Sequence, residues 1–212
     1  MKGLMRRVTS ENPQIVLASG SPRRLELMRM LGFDPRVRVS AVEEVLKPGE
    51  SGEAYTSRLC REKAAGVQKT LNSEDPDWIL AADTIVELDG QILEKPKDIA
   101  DAVDMLRTLS GRAHCVTTSF CWLDRTSGTE VVRSISAQVW FRELDDDTIR
   151  NYVATGEPMD KAGAYGVQGI GACLVARVEG SYHTVVGLPI CEVIESLDAA
   201  GGLAAFPFAR RR

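Results

Sequence analysis

The stretch that most constrains the fold runs from Trp78 to Leu88 and reads WILAADTIVEL. It is apolar almost throughout, which is typical of a strand that is buried on both faces. An Asp-Gly pair and a second short apolar run follow it, and this order predicts a β-hairpin. A chain of 212 residues can bury the sizeable core that such a strand needs without disulfides or structural metals.

Segments typical of strands and of helices alternate along the rest of the chain. Further strands are predicted at residues 15–19, 35–45, 114–124, 130–144 and 170–182. Helices are predicted at residues 22–31, 52–71, 97–111, 145–156 and 187–201, and a glycine-rich loop at 156–169. This order predicts an α/β protein with a mixed, twisted sheet flanked by helices. We expect a single domain over residues 1–212, with short tails outside about 15–197.

The composition argues against several classes of protein. A formal net charge of −4 gives no overall field that favours nucleic acid or an anionic membrane, so an anionic substrate would need a local cluster of cations. The five cysteines are odd in number and lack CxxC spacing, which argues against a disulfide framework or a zinc site and favours a reducing compartment.

Localisation is predicted from the same composition. The N-terminal MKGLMRRVTSENPQ has no signal-peptide pattern, and no apolar stretch is long enough to span a bilayer. We therefore expect a cytoplasmic protein without a membrane partner. The C-terminal AFPFARRR is expected to be a solvated tail.

Asp83 interrupts the otherwise apolar run ILAADTIV. An ionised carboxylate inside an apolar strand is costly unless it is paired or bound to a metal. One interpretation is an aspartate at a β-bulge, hydrogen-bonded to local backbone. The other is a general base or a ligand of a divalent cation. Glu43 and Glu44 end the predicted strand at 35–45 in solvent, or one of them faces Asp83 and completes a hard oxygen site for Mg²⁺ or Mn²⁺.

A second anomaly is the cationic turn LASGSPRR. Ser21 is predicted to cap a helix whose first residue is Pro22. Arg23 and Arg24 then fall in the first turn, where the helix dipole disfavours positive charge. They are either a solvated pair or the binding site of an anion.

Two lysines stand out elsewhere in the sequence. Lys63 falls on the apolar stripe of a predicted helix, where it either snorkels to water or reaches a cleft. Lys95 directly follows the second strand of the predicted hairpin. Each signal is weak when it is taken alone.

The loop GEPMDKAGAYGVQG contains four glycines, which permit a close approach of backbone to a ligand. Tyr165 could stack on a base and Gln168 could read a base edge, or the segment is simply a mobile surface loop. His114 and His183 are too few for a histidine metal site. Neither the P-loop pattern nor the GxSxG elbow occurs, which argues against a P-loop NTPase and an ordinary serine hydrolase.

Six ordered motifs together resemble the Maf family of nucleotide pyrophosphatases. They are LASGSPRR, AADTIV, ILEKP, LSGRAHCVTT, GEPMDKAGAYGVQG and GSYHTVVGLP, and the similarity runs from about Ile15 to Leu197. The resemblance implies two lobes around a cleft, as in the inosine-triphosphate pyrophosphatases. It also implies metal-dependent hydrolysis of a nucleoside triphosphate to the monophosphate and pyrophosphate, and it suggests a homodimer.

The resemblance also implies roles for individual residues. Asp83 matches the catalytic base, Glu44 an acid that ends the second strand and shares a metal with Asp83, and Lys95 the lysine of the KP motif. Substrate-binding roles fall to Ser19, Arg23, Arg24, Lys63, Asp160, Lys161 and Gln168. Arg23 directly after Pro22, together with AYGVQG, resembles the branch that acts on dTTP and UTP. A purine or 7-methyl-GTP pyrophosphatase, or a nucleotide-sensing regulator of cell division without turnover, is the alternative.

Overall fold

The structure is a computed structural model that describes residues 13–203. Within that range the strands are β1 (Ile15–Leu17), β2 (Arg36–Val37), β3 (Trp78–Leu88), β4 (Gln91–Leu93), β5 (Ala113–Asp124), β6 (Glu130–Phe141) and β7 (Val175–Glu179). The helices are α1 (Pro22–Met30), α2 (Gly52–Gln68), α3 (Ile99–Leu109), α4 (Asp146–Ala154), α5 (Tyr182–Val186) and α6 (Ile190–Ala199). Short 3₁₀ turns occupy Glu157–Asp160, Ala162–Ala164 and Ile170–Leu174.

The strands described above form one mixed sheet in the order β2-β1-β3-β5-β6-β7, with β4 added beside β3. β1 pairs in parallel with β2 and β3, whereas the pairs β3–β5, β5–β6 and β6–β7 are antiparallel. The predicted α/β fold with a mixed sheet flanked by helices is therefore confirmed. The hairpin β3–β4 is also confirmed, because Asp89 and Gly90 adopt φ angles of 51° and 79°, as a two-residue hairpin turn requires.

Helices cover both faces of β3, which explains why its sequence is apolar almost throughout. On one face Trp78, Leu80 and Ala82 pack with residues of α1 and α6. On the other face Ile79 and Ala81 pack with residues of α2. Alternation along the strand therefore turns Asp83 towards α2.

A second core lies beyond Asp83. The far half of β3 contributes Val86 and Leu88 to it, where they pack with residues of α3, α4 and β6. Full burial of each such side chain stabilises the fold by about 1.5–3 kcal/mol. Asp83 thus stands in a strand that is held by a packed core at each end.

The strand predicted at 35–45 is mostly wrong. Only Arg36 and Val37 form a strand, and the Arg38 N–H makes a last hydrogen bond to the carbonyl oxygen of Leu17, where β1 ends. Residues 38–51 form an irregular segment instead. Glu44 accordingly does not end a strand, although it still reaches the cleft described below.

The strand predicted at 170–182 is also too long. The chain first makes the 3₁₀ turn Ile170–Leu174, then β7, and then the short helix α5, which the sequence did not indicate. The predicted loop at 156–169 contains two 3₁₀ turns, and the helix predicted at 52–71 ends at Gln68. The N-terminal stretch up to residue 12 and the AFPFARRR tail lie outside the described residues. No helix that the structure describes has the length and hydropathy needed to cross a bilayer.

Candidate functional site

A cleft of about 760 Å³ opens where Ser19 and Gly20 follow the carboxyl end of β1. This volume is within the usual range of small-molecule sites. The site residues predicted from sequence all line it: Ser19, Arg23, Arg24, Glu44, Lys63, Asp83, Lys95, Asp160, Lys161 and Gln168. Residues far apart in the chain therefore meet in one place, and their roles are taken up below as proposals.

Asp83 is buried in the middle of β3, with 6% of its surface exposed. It pairs in regular register with Ser119 of β5, so it does not sit at a bulge. Its Oδ1 lies 2.6 Å from Lys63 Nζ on α2. This ion pair makes the buried carboxylate tolerable, because a buried charge without a partner costs several kcal/mol.

Lys63 does not snorkel to water. Its ammonium bridges two carboxylates, since Nζ lies 2.6 Å from Glu44 Oε1 as well as from Asp83. Burial raises the pKa of Glu44, but the hydrogen bond and charge of Lys63 outweigh burial, and the net pKa is lowered. Lys95 Nζ approaches the other Glu44 oxygen at 3.8 Å from an exposed position. The result is a charged cluster of both signs in the cleft.

The two arginines of the α1 turn have different surroundings. Arg24 donates to the carbonyl oxygens of Gly187 and Ala82, both at 2.8 Å, and to the hydroxyls of Ser19 and Thr84 at 3.1 and 2.9 Å. Burial is the main cause that lowers the pKa of Arg24. Arg23 instead faces the cleft, where its Nη1 lies 3.3 Å from Asp160 Oδ2.

Ser19 rather than Ser21 supplies the hydroxyl at the start of α1. Ser21 stands at the N-cap position directly before Pro22, as predicted, but its side chain makes no capping hydrogen bond. Ser19 Oγ accepts from the Ser21 N–H at 3.2 Å, while the Arg24 guanidinium donates to the same hydroxyl. The turn is therefore fixed by its own side chains before any ligand binds.

The glycine-rich segment forms the opposite wall. Lys161 Nζ donates to Asp160 Oδ1 at 2.6 Å and to the Glu157 carbonyl oxygen at 2.5 Å. Gln168 is exposed and lines the cleft. Tyr165 is buried, with its hydroxyl 2.8 Å from His114 Nε2, so it forms part of the wall rather than a free stacking platform.

Comparison with known proteins identifies the family of this chain. The Maf-like protein family matches residues 14–200. The chain belongs to the Maf family. The dTTP/UTP pyrophosphatase of Geobacter metallireducens is 47% identical over 193 residues, covering 91% of this chain and 99% of its own length. That of Shigella sonnei is 48% identical over 184 residues, covering 86% and 91%. Among solved structures, the Ham1 protein of Staphylococcus aureus is similar over 60% of this chain and 71% of its own, with 16% identity and a TM-score of 0.43.

The carboxylates of this Maf chain fit the divalent cation that the family resemblance implies. Asp83 and Glu44 are hard oxygen donors that share one cation, the Lys63 ammonium. Asp83 Oδ2 accepts no hydrogen bond from the residues that the structure describes. In that same range no group of three or more His, Cys, Asp or Glu side chains is placed to hold a metal. Two carboxylates suffice for Mg²⁺ when phosphate oxygens and water complete its shell.

Sequence reasoning missed several residues that line the Maf cleft. Thr84 follows Asp83 and receives a hydrogen bond from Arg24, but a threonine in a strand is ordinary and gave no signal. Glu94 accepts from the Tyr55 hydroxyl at 3.2 Å. Glu157 accepts three hydrogen bonds through its carboxylate. Its place beside a proline and four glycines was the available clue.

Proposed function

We propose that this protein hydrolyses nucleoside triphosphates, dTTP and UTP above all, to the monophosphate and pyrophosphate. The observation that carries the proposal is the buried Asp83 carboxylate, paired with the Lys63 ammonium at 2.6 Å inside a cleft that also holds a cationic turn. Relatives 47–48% identical are named dTTP/UTP pyrophosphatases, which supports the same choice of substrate.

In this mechanism Asp83 orients a water molecule and takes its proton as that water attacks the α-phosphorus. The bond between the α-phosphorus and the bridging oxygen breaks, and pyrophosphate leaves with the electron pair. Lys63 keeps Asp83 in place, since its ammonium contacts the same carboxylate. A divalent cation held by Asp83 and Glu44, Mg²⁺ or Mn²⁺, would neutralise charge on the phosphate oxygens. The protein's contribution is positioning and electrostatics rather than a covalent intermediate.

The phosphate end of the cleft comprises Ser19, Arg23, Arg24, Lys63 and Asp83. Arg23 binds the phosphate chain there, helped by the N–H groups of the first turn of α1 and by Lys95. Arg24 serves the same end indirectly, because four of its five N–H groups already donate to protein acceptors. It holds the turn against β3 on both sides of Asp83.

The base end of the cleft is the loop Gly166–Gly171. Gln168 offers a carbonyl and an amide group, which can pair with the acceptor and donor edge of a pyrimidine. Lys161 and Asp160 lie between the two ends and fix the wall near Arg23. We assign base recognition to this loop because Gln168 is exposed in the cleft, while the neighbouring Val167 packs into the core.

The direct test is a product analysis. Purified protein is incubated with Mg²⁺ or Mn²⁺ and a panel of nucleoside triphosphates, and pyrophosphate and monophosphate are quantified. We expect both products, fastest from dTTP and UTP, and loss of turnover when a chelator removes the metal. Release of orthophosphate and a diphosphate would contradict the reaction. A preference for purines would contradict the substrate, and binding without turnover would favour a sensor.

A further inference from the structure

The base-end loop is held by side chains rather than by pairing with a strand. Tyr152 on α4 accepts a hydrogen bond from the Gly166 N–H at 3.1 Å. Glu157 Oε2 accepts from the Ile170 N–H at 2.8 Å, and its Oε1 accepts from the Gly171 N–H at 3.0 Å. These three bonds enclose Gln168 from both sides along the chain.

The two supporting side chains are joined to each other. The Tyr152 hydroxyl donates to Glu157 Oε1 at 2.9 Å, so one connected network serves both ends of the loop. Burial raises the pKa of Glu157, but the N–H groups of Gly171 and Ile170 and the Tyr152 hydroxyl outweigh burial, and the net pKa is lowered. The carboxylate is therefore ionised at neutral pH, and hydrogen bonds to a charged acceptor are the stronger kind.

The glycines of the loop show how closely it approaches this network. A Cβ atom on Gly169 would lie 2.2 Å from Glu157 Oε2, and a Cβ on Gly171 would lie 2.5 Å from the Tyr152 hydroxyl oxygen. A side chain at position 169 would therefore displace the Glu157 carboxylate, and one at position 171 would also meet the Gly166 carbonyl oxygen at 2.7 Å. Glu157 and Tyr152 together hold the loop in this position.

We propose that Glu157, together with Tyr152, is a positioning residue that sets how strongly the cleft prefers pyrimidine over purine triphosphates. The inference rests on the proposed function. Neither residue needs to touch the base. They act by fixing the position of Gln168, because a hydrogen-bonding side chain discriminates between bases only when it is held at the right distance from the base.

The test compares binding of α,β-imido-UTP with α,β-imido-GTP by calorimetric titration of the full chain. Wild type is expected to bind the uridine analogue more tightly. In Glu157→Gln one amide must replace a carboxylate that accepts three hydrogen bonds. We therefore expect the Kd of the guanosine analogue divided by the Kd of the uridine analogue to fall about tenfold. Glu195→Gln is the matched control, because Glu195 is exposed, lies outside the cleft and contacts Arg133. It should leave the ratio unchanged.

Tyr152→Phe provides a second, milder variant. It removes the hydroxyl that accepts from the Gly166 N–H and donates to Glu157, but it keeps both bonds that Glu157 accepts from the loop backbone, so we expect a smaller fall in the same ratio. Thermal melting identifies any variant that does not fold, and the remaining variant then decides. A ratio that stays at the wild-type value in folded variants overturns the proposal, as does equal weakening of both analogues or a wild type without preference. The proposed reaction fails separately, if wild type releases no pyrophosphate from UTP.

Discussion

The two ends of the cleft are built differently. At the phosphate end, Asp83 lies on β3, Lys63 on α2 and Arg24 on α1, whereas at the base end Gln168 lies on a loop between 3₁₀ turns. The first group is held by packed cores on both faces of the sheet. The second is held by a few hydrogen bonds from side chains to backbone. The difference implies that the phosphate end is part of the core framework of the fold, while base preference can change at the other end without loss of the fold.

Asp83→Asn should have the largest effect and should act at the phosphate end alone. The amide cannot take a proton from water, so we expect kcat to fall about a thousandfold for every nucleotide. Because the amide oxygen can still accept from Lys63, the melting temperature should change little. Pyrophosphate release and thermal melting measure the two effects, and Asp198→Asn on the exposed side of α6 serves as control. Unchanged turnover in Asp83→Asn would remove this residue from the mechanism.

Arg24→Lys should come next, because it tests whether the phosphate end is also structural. An ammonium cannot reach four acceptors that a planar guanidinium reaches at once. We expect a loss of about 3 kcal/mol in the free energy of unfolding, from carbonyls left without a donor. Arg29→Lys on the same helix is the control, since the Arg29 side chain is exposed and pairs with Asp34 at 3.5 Å. Equal stability of the two variants would refute the structural role of Arg24.

The dependence of stability on pH should report on His114, which is buried in the core next to the base end. Burial lowers the pKa of His114 to about 4, from an ordinary value of 6.5. The unfolded chain therefore takes up a proton that the folded chain refuses, and stability present above pH 6.5 is lost as the pH falls towards 4. We expect a loss of about 2 kcal/mol between pH 8 and pH 5 by chemical denaturation. His114→Phe should flatten the dependence of the free energy of unfolding on pH. A dependence equal to that of wild type would show that another group causes it.

Gln168→Ala should have the smallest effect on stability and should separate the two ends. We expect base discrimination to fall about tenfold, while kcat for UTP changes less. Steady-state kinetics on UTP and GTP measure both. Ile170→Ala in the same loop is the control, because its side chain is exposed and only its N–H contacts Glu157. An equal loss on both substrates would show that Gln168 serves catalysis rather than selection.

The same contrast explains how much could be predicted from the sequence. The apolar run around Asp83 and the helical stripe around Lys63 are local patterns, and both elements were confirmed. Glu44 was predicted to end a strand that in fact stops at Val37. The length of its partner β1 is set outside residues 35–45, so no pattern within them could show where the strand ends. The contact of Glu44 with Lys63 depends on the path of an irregular segment.

At the base end the sequence indicated only glycines and polar residues. The 3₁₀ turn Ile170–Leu174 was not predicted, because the acceptor of its first two N–H groups is Glu157, which lies 13 and 14 positions earlier in the chain. Helix α5 is five residues long, too short for a periodic signal. The different tasks of Arg23 and Arg24 were equally hidden, since adjacent identical residues look alike until their neighbours are known.

The bond from Arg24 to the Gly187 carbonyl spans 163 positions of the chain. During translation the turn before α1 and strand β3 therefore leave the ribosome long before Gly187, which completes their hydrogen bonds with Arg24, is synthesised. A nascent chain can form its early strands and helices, but Arg24 cannot make its hydrogen bond to the Gly187 carbonyl until that residue has been synthesised. Catalytic competence should thus appear late and abruptly, once the segment around α5 has left the exit tunnel.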